Sequence, residues 1–115
     1  MTLGKEELQA GWRIGAVPTL QGVIGLSKKI IAYVDMTPDG PPDVRFYPTQ
    51  GGKGGEGVQL YQPLVESWLI VSTWPAHGFT RVNLSSCMDF DPVAVGNFLE
   101  KEFGSKIQAF WSALL

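Results

Sequence analysis

The stretch QLYQPLVESWLIVSTWPAHGFTRVNL, Gln59 to Leu84, decides the fold. It contains three apolar runs rich in β-branched and aromatic residues, Gln59–Leu64, Trp68–Trp74 and Phe79–Leu84. Val-Glu-Ser separates the first two and Pro-Ala-His-Gly the last two, so they read as three consecutive strands joined by short connections. Successive strand residues face opposite sides, which puts Trp68 and Trp74 on one face of the middle strand.

Downstream, Asp91 caps a helix whose first residue is Pro92, with Val95, Phe98, Leu99 and Phe103 on one face and Gly104 as its stop. The closing KIQAFWSALL, Lys106 to Leu115, reads as a last strand or a short helix, its apolar run being too brief for periodicity to decide. Upstream, Leu20, Val23, Ile24, Ser27 and Ile31 can share a helical face, although Gly22 and Gly25 each cost about 1 kcal/mol in a helix interior. Alternatively, IIAYVDM and VRFYP flank a proline- and glycine-rich bend and can pair as a hairpin. PTQGGKGGEG, Pro48 to Gly57, reads as a mobile loop. It is not a phosphate-binding loop, because Gly54 follows Lys53 where Ser or Thr is required. DMTPDG, Asp35 to Gly40, starts like a calcium loop but has Thr37 third and Phe46 at the twelfth position, so it reads as a turn.

The composition bounds the function. The 115 residues suffice for one domain, 1–115, burying roughly two-thirds of the surface of the unfolded chain. Hydrophobic residues are 44% and charged residues 17% of the total, which indicates a globular protein. The net charge of -2, with no basic cluster beyond Lys28-Lys29, argues against nucleic acid. Cys87 is the only cysteine, so there is no disulfide within the chain, and the spacing of residues suggests no metal site. The N-terminus lacks an apolar signal core and no apolar run approaches the ~20 residues that span a bilayer, so a soluble cytoplasmic protein is expected, with no membrane partner. The strands, with helices on one face, predict a two-layer α+β sandwich whose sheet is mostly antiparallel and whose other face is apolar and needs a cover.

Several segments together carry a resemblance: GVQLYQPLVES (Gly57 to Ser67), STWPAHGF (Ser72 to Phe79), VNLSSC ending at Cys87, DPVAVGNFLEKEFG (Asp91 to Gly104) and, upstream, RFYP (Arg45 to Pro48). In these the chain resembles the bacterial and archaeal S-adenosylmethionine decarboxylases, small pyruvoyl enzymes of spermidine synthesis. Glu-Ser, Thr-Trp-Pro and the cysteine follow at the family's intervals. The resemblance implies that Ser67 attacks the carbonyl before it, that the chain splits between Glu66 and Ser67, and that Ser67 becomes a pyruvoyl group. That group would act as the electron sink for decarboxylation. It further implies that Cys87 is the proton donor to the carbon left by carbon dioxide, that Phe46 stacks on the adenine of a bound S-adenosylmethionine-like ligand, and that protomers pair into a four-layer αββα homodimer with the site near the interface.

Three processing positions depart from the family pattern. The processing histidine is Ser72, the processing serine is Gln59, and the histidine that follows the pyruvoyl precursor is Trp68. A hydroxyl does not replace an imidazole that titrates near pH ~6.5. Ala76 stands where the family carries an acidic residue, and His77 lies beyond Pro75, in a turn, where it reads as a solvated surface residue. Trp74 reads as structural. Trp68 is large enough to occupy the space of a substrate or of the missing histidine. Without the resemblance, Cys87 reads as a small buried hydrophobe and Phe46 as a core residue.

Three readings follow. In the first, the protein is an active decarboxylase of S-adenosylmethionine or a related amino acid. In the second, it is an uncleaved relative that binds a ligand, regulates, or partners an active paralogue. The third is a structural domain without a site, which Trp68 filling the pocket would support. The substitutions favour the second.

Overall fold

Along the middle strand the side chains alternate as its sequence predicts. Leu69 and Val71 are fully buried and Thr73 nearly so, whereas Trp68, Ile70 and Ser72 are half-buried and Trp74 is exposed. The computed structural model describes residues 7–48 and 57–115. In chain order its elements are β1 (Leu8–Ile14), α1 (Leu20–Tyr33), β2 (Asp43–Tyr47), β3 (Gly57–Leu64), β4 (Ser67–Trp74), a 3-10 turn (Pro75–His77), β5 (Phe79–Ser86), α2 (Pro92–Phe103) and β6 (Ile107–Leu114). The strands form a six-stranded sheet in the order β2-β3-β4-β5-β1-β6, with every neighbouring pair antiparallel.

One face of this sheet carries the core. Ala10, Trp12, Leu60, Leu69, Val71, Val82 and Leu84 pack there against Val23, Leu26, Ile30 and Ile31 of α1 and Val95 and Leu99 of α2. The fold is therefore a two-layer α+β sandwich, as expected. Thr19 caps α1 by accepting a hydrogen bond from Gly22 N–H at 3.1 Å, and Asp91 caps α2 by accepting from Val93 and Ala94. Gly104 ends α2 at φ 64°, the left-handed conformation glycine supplies freely.

Several sequence expectations are resolved or corrected. The N-terminal segment is a helix over Leu20–Tyr33 and not the first arm of a hairpin. VRFYP does enter the sheet, but as β2 paired with β3. The helix prevails because Leu26 and Ile30, besides the predicted face, have a core to bury in. The C-terminal run is strand β6, paired with β1. Sequence reasoning missed β1 altogether, because Gly11 and Arg13 interrupt its apolar run. Of the predicted mobile loop, residues 49–56 lie outside the described residues, and Gly57 already belongs to β3. DMTPDG is a turn as read, with Asp35 at φ 56° and Gly40 at φ 85°.

Trp12 locks α2 onto the sheet. Its ring is 2% exposed, its Nε1 donates to the carbonyl of Pro92 at 3.1 Å, and a Cβ on Gly96 would come within 3.2 Å of that nitrogen. Trp12→Phe keeps most of the buried area but removes the donor, so it should lower stability by about 2 kcal/mol, as measured by urea denaturation. A loss under 0.5 kcal/mol would show that the bond contributes nothing.

Candidate functional site

The β3–β4 connection is held in place by the turn before β2. Thr37 N–H donates to the Glu66 carboxylate at 2.9 Å, Val65 N–H to the Thr37 carbonyl at 2.9 Å, and Asp39 N–H to the Pro63 carbonyl at 2.9 Å. Buried Gln62 closes the same region, its amide donating to the carbonyls of Gly40 and Pro63. The peptide between Glu66 and Ser67 thus sits in a tight turn tied down on both sides.

Register brings the end of β5 beside it. Ser67 pairs with Ser86, and the N–H of Cys87 donates to the carbonyl oxygen of Glu66 at 3.0 Å. Cys87 is exposed and its thiol free, so it is not the small buried hydrophobe that its composition alone suggests. The Ser67 hydroxyl donates to the Glu7 carboxylate at 3.0 Å, and the hydroxyl of fully buried Ser85 bonds the same oxygen. Glu7 is anchored in turn by two backbone bonds to Leu115, at 2.7 and 2.8 Å. Sequence reasoning did not find Glu7. It lies sixty residues from Ser67 in a stretch without periodicity, and only the β1–β5 pairing brings the two together.

The three substituted positions divide between the ends of the sheet. Trp68 is half-buried beside Ser67, opposite Pro63 and Ser85. Gln59 and Ser72 lie directly across from each other, and Ser72 is flanked on its other side by Arg81. Five residues of extended strand separate Ser72 from Ser67, about 16 Å at strand rise, so within one chain a side chain at position 72 does not reach Ser67.

The end bearing Gln59 and Ser72 forms a pocket of about 400 Å³, lined also by Tyr47, Gly57, Thr73, Trp74, Ala76 and His77. This volume is in the range of small-molecule sites. Trp68 is not among the lining residues, so it does not fill this pocket. Trp74 is exposed at its rim and stacks on Phe79 at 6.0 Å, over which Arg13 sits at 3.8 Å. Phe46 pairs with buried Val58 and is half exposed, while its neighbour Tyr47 lines the pocket. His77 is exposed in the turn, as read from the sequence. Among the described residues no group of three or more His, Cys, Asp or Glu could hold a metal ion, and no helix is long and apolar enough to cross a membrane.

The chain is similar to known proteins in both sequence and fold. It is 37% identical over 57 residues to an S-adenosylmethionine decarboxylase proenzyme of Pyrobaculum arsenaticum, covering 48% of this chain and 46% of that protein. It is 40% identical over 52 residues to the proenzyme of Carboxydothermus hydrogenoformans, covering 44% and 41%. The matched segment thus spans less than half the length of each relative. The crystal structure of the adenosylmethionine decarboxylase from Aquifex aeolicus superposes with a TM-score of 0.61 at 16% identity, covering 96% of this chain and 87% of the other, which is a likeness of fold. The family described as S-adenosylmethionine decarboxylase matches residues 22–111. That match takes in β2 to β5, α2 and most of α1 and β6, well over half of the chain, and so the chain belongs to the S-adenosylmethionine decarboxylase family.

Proposed function

We propose that this protein is a member of the family that stays uncut between Glu66 and Ser67 and binds an S-adenosylmethionine-like ligand as a homodimer. The observation that carries the reading is Ser72, a hydroxyl opposite Gln59 where the resemblance places the imidazole needed to take the α-proton of Ser67. Neither side chain is a base at neutral pH. The residues for making a pyruvoyl group are thus present only in part: Ser67 is intact and hydrogen-bonded, and the carbonyl before it holds an N–H. The group, where formed, supplies an electron sink for the loss of carbon dioxide.

The pocket at Gln59 and Ser72 supports ligand binding by its size and aromatic rim. The sheet face opposite the helices supports the homodimer. Tyr61, Trp74 and Trp111 are 41%, 46% and 47% exposed, and an uncovered sheet face of this kind calls for a partner. In such a pair, position 72 of one chain would have to meet Ser67 of its partner, since the two lie about 16 Å apart along one strand. A second reading, active decarboxylation after self-cleavage, is favoured by the Ser67 hydroxyl on the Glu7 carboxylate and by the Cys87 N–H on the Glu66 carbonyl. In that case Cys87 would serve as the proton donor and the protein would work in the cytoplasm with its family.

Intact mass under denaturing conditions decides between them, with Ser67→Ala as control. A single full-length mass in both is expected. Two fragments divided between Glu66 and Ser67, absent in the control, would establish the active reading. Light scattering at micromolar concentration should give twice the mass of one chain, and a monomer would overturn the homodimer.

A further inference from the structure

The geometry points to Glu7 as the base that activates Ser67, so that this chain performs the first half of self-processing, a reversible acyl shift to an ester at Glu66-Ser67, without the second. The inference rests on the uncut reading and adds to it what the intact serine still does. An isolated serine hydroxyl is a poor nucleophile and needs an acceptor for its proton, within about 2.6–3.2 Å. Glu7 meets that condition at 3.0 Å from the Ser67 hydroxyl. The second requirement is a donor on the oxygen that becomes negative. The Cys87 N–H already occupies the Glu66 carbonyl oxygen at 3.0 Å. Nucleophile, base and oxyanion donor therefore converge on one peptide, and Ser85 holds the carboxylate in place from the other side.

The step balances within the chain. The Ser67 hydroxyl proton passes to the Glu7 carboxylate as the oxygen bonds to the Glu66 carbonyl carbon. The bond from that carbon to the Ser67 nitrogen then breaks, and the nitrogen takes the proton back from Glu7. The products are an ester and a free α-amine on Ser67. Cleavage would next require removal of the Ser67 α-proton by a base at position 72, which is a hydroxyl here, so the ester returns to the amide.

Neutral hydroxylamine tests this, because it captures esters and the chain has no Asn-Gly bond for it to attack instead. Treated folded protein should split between Glu66 and Ser67, the first fragment ending in a hydroxamate visible by mass. Ser67→Ala should not split, and Glu7→Gln should split at least tenfold more slowly. Glu7→Gln separates a base from a merely structural contact, since its amide oxygen still accepts from the Ser67 and Ser85 hydroxyls but does not take up a proton. Resistance of the wild type, or a Glu7→Gln rate equal to it, overturns the assignment. If Glu7→Gln does not fold by circular dichroism, Glu7→Asp replaces it, with slowed cleavage expected and an unchanged rate overturning the role. Spontaneous fragments without hydroxylamine would sink the uncut reading alone. Glu7 would then stand or fall by whether Glu7→Gln slows their appearance tenfold or leaves it unchanged.

Discussion

The register of β4 against β5, and of β5 against β1, is the constraint on which the rest depends. Leu69 pairs with Leu84 and Leu84 with Ala10, and Val71 pairs with Val82 and Val82 with Trp12. All six are 2% exposed or less. A slip of one residue would turn each of these side chains to the opposite face, exposing the core of the helical layer. The hydrophobic cost of that slip also fixes groups that contribute nothing to the core. It sets Cys87 N–H on the Glu66 carbonyl, Ser67 beside Ser86, and the residue before β1, Glu7, beside the Ser67 hydroxyl.

The same register aligns a polar row on the opposite face. Gln59, Ser72, Arg81 and Arg13 follow one another across β3, β4, β5 and β1. Two arginines directly opposite each other repel. Phe79 offsets part of this by offering its ring to Arg13 at 3.8 Å and to Arg81 at 6.0 Å, within the range of cation–π attraction. A histidine in place of Ser72 would sit next to Arg81 and be held toward its neutral, proton-accepting form. The neighbourhood thus still suits a base at this position, and what sets this chain apart there is the substituted side chains themselves.

The central hairpins and α2 were legible because their signals are local. Trp68 to Trp74 is a β-branched and aromatic run bounded by turn residues, and Asp91, Pro92 and Gly104 mark both ends of the helix. The β1 strand was not, because Gly11 and Arg13 break its pattern, and a strand between β5 and β6 takes its meaning from partners near the other end of the chain. The Glu-Ser, Cys and Ser72 positions could be named from the family resemblance. Their distance from one another could not, since the five-residue interval from Ser67 to Ser72 is short in sequence and about 16 Å long in a strand. Glu7 carried no signal: a glutamate in a charged N-terminal segment looks like solvated surface until β1 carries it to Ser67.

Self-processing of this kind needs two proton transfers at one residue, the first from the serine hydroxyl and the second from its α-carbon. The sheet supplies them from different directions. The hydroxyl has a carboxylate delivered by β1 of the same chain, held at 3.0 Å and backed by Ser85. The far end of β4 lies about 16 Å from the α-carbon along the strand, too far for a side chain there to reach it within one chain. On the uncut reading, substitutions at Gln59 and Ser72 would remove the second transfer without disturbing the first, because the two share no side chain and no strand end. A chain can lose the ability to cleave and keep a hydrogen-bonded, activated serine, since the register that preserves that serine is the one the core itself requires.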